Sequence, residues 1–410
     1  MQYRKWEQPN CTKHNSPMKI IQLKLRGVRI PLRFQFSQSN NAGADHSHSA
    51  IVEIHTQEGV VGYGESCPRT YVTGEDIGAV QKELLQLSPE LKGGGASSAE
   101  EIRLMLSSWE KAGIGPSTRC ALELALLDAW SKSEGKPLAG LLDSAPPEAL
   151  YYSLILPLLK PSALEEQLLP RVRQFSPPAV KLKVDAKLEE TIDKLRLLRD
   201  FFGPGLPIRV DANAGWTLQQ AEKIIPALIE QGITSFEQPL PVGQWEGLKA
   251  LTGRFGQEAS IMADESLLSR EQALFLIERG CVNHFNLKIS KLGGLFSSLE
   301  VYRLAEQHGI PCQLGAHFGE TSLLTAAGVL LCGMAGSMTA YEGAMGLFLL
   351  EKDITLSSIT MGLDGKLDSR TALPESGLGI VDEAVLEGYT QGPAINPNQI
   401  LSSLKSNIKR

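Results

Sequence analysis

Ala179-Val-Lys-Leu-Lys183, Pro207-Ile-Arg-Val-Asp211, Ile233-Thr-Ser-Phe-Glu237, Ser260-Ile-Met-Ala-Asp264 and Asn283-His-Phe-Asn-Leu-Lys288 are five short apolar runs, each closed by a charged residue. From 183 to 211, 237, 264 and 288 the charged ends lie 28, 26, 27 and 24 residues apart. A strand with its return helix takes about that length, since a βαβ unit needs about 30 residues. Each run is long enough for a buried parallel strand and too short for a helix. Five such strands present Lys, Asp, Glu, Asp and Lys at their C-terminal ends, where a (β/α)8 barrel carries its chemistry. The order reads as a base, three metal ligands, and a second acid or base.

The pattern extends in both directions. Tyr151 to Leu156 is a candidate first strand, Pro311-Cys-Gln-Leu-Gly315 a seventh, and Ser337-Met-Thr-Ala-Tyr-Glu342 an eighth. Thr217-Leu-Gln-Gln220 and Ser269-Arg-Glu-Gln272 match the capping box that starts a helix. The first leads into Leu218, Ala221, Ile224, Ile225 and Leu228, an apolar face at helical spacing that Pro226 is expected to break or kink. Eight strands with helices between them predict an α/β fold, a closed (β/α)8 TIM barrel over residues 149–365. An open doubly wound sheet is the alternative, but no strand is followed by GxGxxG, and Gly293-Gly294 alone is a weak phosphate signal.

Ahead of the barrel, alternation at Ile21, Leu23 and Leu25, then at Ile51, Val52 and Ile54, predicts antiparallel strands. The polar stretch Gln35 to Ser49 between them reads as a flexible loop. Gly59, Gly62 and Gly64 read as punctuation at a strand end, and Glu65 to Tyr71 as a second loop. Helical periodicity runs from about Gly74 to Leu142, clearest over Pro116 to Trp130, and Asp143-Ser-Ala-Pro-Pro147 reads as a linker. Residues 19–148 therefore predict an α+β domain. The polar residues 1–18 read as a disordered tail, and about 366–410 are expected to pack back on this first domain.

A chain of 410 residues accommodates a barrel and a smaller domain, and 42% apolar with 21% charged residues is ordinary globular composition. The net charge of −6, without a basic run, argues against nucleic acid as partner. No apolar run approaches the roughly 20 residues of a membrane span, and Met1 to Met18 carry no apolar signal core. Six scattered cysteines (Cys11, Cys67, Cys120, Cys281, Cys312, Cys332) without a CxxC pair read as reduced thiols of a cytoplasmic protein.

Asp211, Glu237 and Asp264 on consecutive strand ends would converge, because adjacent strands lie about 4.8 Å apart. Oxygen-only ligation suits a hard cation such as Mg²⁺, with Mn²⁺ as the alternative. Without a cation, three such carboxylates repel and one stays protonated. Lys183 and Lys288 flank them in sequence and so lie on opposite sides of the metal. Lys181 shares a face with Lys183, and each ammonium is expected to depress the pKa of the other. A Schiff-base lysine is conceivable in a barrel, but leaves the carboxylate trio without a role. Such a set acidifies the α-proton of a chelated carboxylate, which a lysine removes to give an enediolate. Glu265, beside Asp264, is expected by strand alternation to point away.

Lys181-Leu-Lys183, Asp211-Ala-Asn213, Phe236-Glu-Gln-Pro239, Ala263-Asp-Glu-Ser266 and Asn286-Leu-Lys288 with Gly293-Gly294 make the chain resemble the enolase superfamily, in its muconate-lactonizing-enzyme subgroup. Ala121 to Asp128, Gly135-Lys-Pro-Leu138 and Gly377-Leu-Gly-Ile380 add to the resemblance, which covers Met18 to Ile380. It implies a modified barrel under an α+β capping domain completed by C-terminal residues. It implies Mg²⁺ on Asp211, Glu237 and Asp264, Lys183 and Lys288 as the acid/base pair, and Lys181 holding the substrate carboxylate or tuning Lys183. Cap loops, here Gln35–Ser49 and Glu65–Gly74, would choose a small-molecule carboxylate substrate. Asn213, Glu265, His317, Glu320, Glu342, Arg69 and Tyr71 are the pocket candidates. The resemblance also implies a homo-oligomer. The expected outcome is racemisation, epimerisation or cycloisomerisation. β-Elimination, as in o-succinylbenzoate synthases and acid-sugar dehydratases, is the alternative, and a non-catalytic ligand-binding barrel the reading from another class. Gly62-Tyr-Gly-Glu65 and Val72-Thr-Gly74 look like the dipeptide epimerases, whose eighth strand carries Asp-x-Asp where this chain has Ala340-Tyr-Glu342.

Overall fold

The computed structural model describes residues 18–392 and 394–397. The expected tail up to residue 17, and the end of the segment expected to complete the cap, lie outside the described residues. An antiparallel sheet of β1 (Ile20–Gln38), β2 (Asn41–Thr56) and β3 (Val61–Ser66) is followed by α1 (Ile77–Leu91), α2 (Ala99–Lys111), α3 (Pro116–Glu134) and α4 (Leu138–Leu141). Among the described residues no helix is long and apolar enough to cross a membrane.

The stretch expected to be a loop, Gln35 to Ser49, is instead the end of a long hairpin. β1 and β2 pair out to Gln38 opposite Asn41, leaving only Ser39 and Asn40 as the turn. Alternation marks a strand only where one face meets an apolar core, and this hairpin tip reaches a polar cleft. Gly62 and Gly64 likewise lie inside β3 rather than at its end. They let the strand lie directly on α3, since a Cβ at residue 64 would stand 2.0 Å from the Ala121 carbonyl oxygen. Pro116 in the first turn and Gly135 at φ 61° bound that helix. Every residue of α3 from Ser117 to Ser131 is buried, as suits a helix covered on all sides.

β4 (Ala149–Tyr151) pairs antiparallel with β12 (Lys366–Asp368), so the expected first barrel strand is split and only β5 (Leu154–Leu156) joins the main sheet. With β6 (Val180–Lys183), β7 (Ile208–Asp211), β8 (Ser235–Glu237), β9 (Ser260–Ala263), β10 (His284–Leu287) and β11 (Cys312–Leu314) it forms a curled, all-parallel seven-stranded sheet in chain order. The expected eighth strand is reduced to bridges from Tyr341 to Tyr152 and to Leu314. Ser153 N–H donates to the Tyr341 carbonyl at 2.9 Å and Leu314 N–H to that of Ala340 at 3.0 Å, so this segment closes the gap. Left-handed Gly343 and Ala344 (φ 49°) end it.

Pro226 does not break the helix Leu218–Glu230. Burial of Ile224, Ile225 and Leu228 is worth about 1.5–3 kcal/mol each and outweighs the roughly 3 kcal/mol a helical proline costs.

Two buried carboxylates hold the N-terminal layer over the barrel. Glu65 accepts from Ser49 Oγ (2.7 Å), Thr321 N (3.1 Å) and Thr321 Oγ1 (2.6 Å) at the start of the helix Ser322–Met334. Glu123 of α3 accepts from Leu295 N (2.6 Å) and Phe296 N (2.9 Å), which open the helix Leu295–Gln307. Both satisfy orphan N–H groups at the positive end of a helix. Described C-terminal residues add to β1, where Leu25 N–H donates to Ile395 O at 2.8 Å. The described cysteines are all free and buried.

Candidate active site

Parallel pairing sets Lys183 beside Asp211 and Asp211 beside Glu237, one row across β6, β7 and β8. Asp264 follows β9 and Lys288 follows β10. Counting the closing segment as a stave, Lys183 and Lys288 have three staves between them in either direction. The three carboxylates occupy the intervening staves on one side. Backbone at these ends is twisted into the left-handed region at Asn213 (φ 43°) and Gln238 (φ 36°), strain of the kind that persists at functional sites.

The cluster is dense and buried. Lys181 Nζ lies 2.7 Å from Glu237 Oε1, 3.1 Å from Asp211 Oδ2 and 2.9 Å from Glu342 Oε2. Lys183 Nζ lies 3.0 Å from Asp211 Oδ2 and donates to Asn213 Oδ1 at 2.7 Å. Lys288 and Lys291 each contact Asp264 at 2.6 Å. Burial works against the Lys181 ammonium, but Asp211, Glu237 and Glu342 outweigh it and hold its pKa well above the ordinary value. The expected mutual depression by Lys183 is thus overturned for Lys181. Burial also opposes the charge on Asp211, yet Lys181 and Lys183 keep that carboxyl well below its usual range. Burial, then the Asp211 charge, push Glu237 up to about 8.

Glu265 does not point away as expected. β9 ends at Ala263, the alternation ends with it, and Glu265 Oε1 accepts from Asn213 Nδ2 (3.2 Å) and from Asn40 Nδ2 (3.0 Å) at the hairpin tip. Its Oε2 is buried without a partner among the described residues.

A cleft opens above the cluster, lined by Lys181, Lys183, Asp264 and Lys288 and by all of the pocket candidates: Asn213, Glu265, His317, Glu320, Glu342, Arg69 and Tyr71. Phe36, Phe318, Met345 and Leu349 add apolar surface to it. The motifs left several participants unassigned. Lys291 is fully buried on the helical turn Ile289–Leu292, and the i,i+3 spacing from Lys288 was the available signal. Arg209 Nη2 lies 2.9 Å from Glu342 Oε1, and alternation with Asp211 already put it on the inward face of β7. Gln238 accepts from Asp264 N (3.0 Å) and Ser266 N (3.1 Å) and so fixes the end of β9; nothing local in the sequence signals that.

The donor set suits a hard divalent cation: three carboxylates on adjacent staves, one of them pushed up to about 8, and an orphan oxygen on Glu265. Among the described residues no three such side chains stand ready to ligate, and an ammonium group contacts one oxygen of each of the three carboxylates.

Residues 163–382 match the family model "Enolase C-terminal domain-like", and residues 21–143 match "Mandelate racemase / muconate lactonizing enzyme, N-terminal domain". The chain belongs to the mandelate racemase/muconate lactonizing enzyme family of the enolase superfamily. Among curated members, the hydrophobic dipeptide epimerase of Enterococcus faecalis is 30% identical over 311 residues, 76% of this chain and 86% of that protein. The N-succinyl-L-Arg/Lys racemase of Bacillus cereus is 28% identical over 315 residues, 76% of this chain and 83% of the racemase. The crystal structure of the Enterococcus faecalis dipeptide epimerase with Mg and the dipeptide L-Leu-L-Tyr superposes with a TM-score of 0.79 at 28% identity, covering 89% of this chain and 100% of that one. The family's barrel and N-terminal cap are the architecture described above.

Proposed function

We propose that this chain is a Mg²⁺-dependent epimerase or racemase that moves the α-proton of a carboxylate substrate between Lys183 and Lys288. The supporting observation is their placement on opposite staves of one barrel, with Asp211, Glu237 and Asp264 on the three staves between. Those carboxylates would hold the ion, which supplies positive charge beside the substrate carboxylate and favours neutral lysine. Lys183, aligned by Asn213 and Asp211, takes the proton from one face, and Lys288, aligned by Asp264, returns one to the other. Lys181 steadies Asp211 and Glu237 and presents its ammonium to the substrate carboxylate. Phe36, stacked on Phe318 at 5.1 Å, covers Lys183 from the cap side and excludes water. Residues 19–148 with the C-terminal segment serve as the cap and 149–365 as the barrel.

The test is α-proton exchange in D₂O, followed by NMR over dipeptides, N-acyl amino acids, muconates and acid sugars. Exchange is expected to require Mg²⁺, and the Lys183→Ala protein is expected to lose it with the epimer whose α-proton faces Lys183. Exchange that survives chelation of Mg²⁺, or that Lys183→Ala leaves unchanged with both epimers, overturns the proposal.

Metal binding has a readout of its own. Mg²⁺ at a hundredfold excess over Kd is expected to stabilise the fold by about 2.7 kcal/mol, and Glu237→Gln to remove that gain in thermal unfolding. Because Glu237 is pushed up to about 8, cation binding below that pH displaces a proton, so Mg²⁺ affinity should rise with pH towards 8. A pH-independent affinity would place the ion elsewhere.

A further inference from the structure

Each carboxylate on the cleft wall already accepts at least one hydrogen bond or ion pair. Asp264 is held by Lys288 and Lys291, and Glu342 by Lys181 and Arg209. Glu265 takes two side-chain amides. Glu320 accepts the His317 backbone N–H at 2.6 Å, and burial pushes it up to about 8.

Arg69 is the reverse case. Its side chain is 6% exposed on the same wall, and it forms no ion pair with any described carboxylate. Nη1 donates to the carbonyls of His48 (2.6 Å) and Pro68 (3.1 Å), Nη2 donates to that of Phe318 (3.2 Å), and the buried Nε has no acceptor. A neutral donor could tie the same carbonyls, whereas a buried guanidinium that no described carboxylate contacts is costly. Beside it on the wall, His317 is 8% exposed and neither ring nitrogen has a partner among the described residues. Burial, then the charges of Lys288 and Arg69, keep this imidazole neutral, with one N–H to donate. The pair is tied to the reacting side of the cleft: Arg69 lies 5.0 Å over the Phe318 ring, Phe318 stacks on Phe36, and Lys183 Nζ is 5.9 Å from the Phe36 ring.

We propose that Arg69 and His317 form an anion subsite for a second carboxylate of the substrate, distal to the one at Asp211, Glu237 and Asp264. This rests on the isomerase function proposed above and narrows its substrate class. With a guanidinium on its wall that no described carboxylate contacts, the cleft suits a substrate carrying a second carboxylate, such as an amino acid whose nitrogen is acylated by a diacid.

The test measures calorimetric dissociation constants on the Mg²⁺-loaded full chain for N-succinylalanine, N-butyrylalanine and Ala-Ala. N-succinylalanine, equal in length to the butyryl compound but for its carboxylate, should bind at least about tenfold more tightly than either. Arg69→Met should bring the ratio towards one, Arg69→Lys should retain part of it, and His317→Ala should lower it. If Arg69→Met fails to fold, the wild-type ratio and the lysine variant carry the test. A preference of Ala-Glu over Ala-Gln that Arg69→Met abolishes also supports the subsite and moves the carboxylate to the amino-acid side chain. Equal binding of all three compounds by the wild type, or a preference unchanged in the Arg69 and His317 variants, overturns the subsite. Exchange without any preference would leave the isomerase standing and the subsite refuted. Preference without exchange of any compound would do the opposite.

Discussion

Lys288→Ala is expected to cut epimerisation by about 10³-fold, within the range that positioned acid–base groups contribute, while leaving proton exchange with one epimer of the substrate. The expectation follows from the barrel geometry. Lys183 and Lys288 stand on opposite staves, so each reaches one face of an α-carbon held between them. With Lys288 removed, Lys183 still takes the proton from the epimer that presents it and returns a deuteron to the same face. Exchange then proceeds without inversion, and the other epimer is inert. Lys183→Ala in the complementary experiment should show no exchange with the first epimer and retain it with the second. Asp264 keeps Lys291 at 2.6 Å in the Lys288 variant, so the carboxylate is not left bare. Inversion at the wild-type rate, or equal exchange of both epimers, would show that one lysine or a solvent path serves both faces.

Gly64→Ala is the substitution expected to damage the fold most for its size. The new Cβ would stand 2.0 Å from the Ala121 carbonyl oxygen and 2.4 Å from the Ala125 nitrogen. Both are backbone atoms of α3, which is packed on every side and cannot withdraw. Overpacking of this kind costs about 3 kcal/mol or more, and urea unfolding should show a lower midpoint at unchanged slope. Gly253→Ala is the contrast. That glycine lies inside the helix Trp245–Phe255 with nothing near its Cβ position, so alanine should stabilise by about 0.5–1 kcal/mol. Equal effects at the two positions would show that β3 and α3 do not touch as described.

These two cases mark where sequence was legible. The barrel could be read because its evidence is local: an apolar run of strand length, a charged end, and a return helix started by a capping box. Thr217 and Gln220 form that box in full, whereas Gln272 turns its side chain to Leu268 N instead of completing the second one. The row Lys183, Asp211, Glu237 could be read because parallel register follows from near-constant unit length. By contrast, Gly62 and Gly64 looked like turn residues, since nothing near them in the chain announces a helix about 60 residues away.

By itself the sequence determined the order of the staves, the charge at each strand end and the family to which they belong, because strand length, period and unit spacing act over a few residues. Only the tertiary structure decided which groups neutralise which. Arg209 meets Glu342 across 133 residues, Glu65 caps a helix 256 residues on, and Asn40 reaches Glu265 from the tip of a hairpin that read as a loop. Polar side chains are buried where partners from distant segments compensate them, and that compensation is a property of the packed molecule.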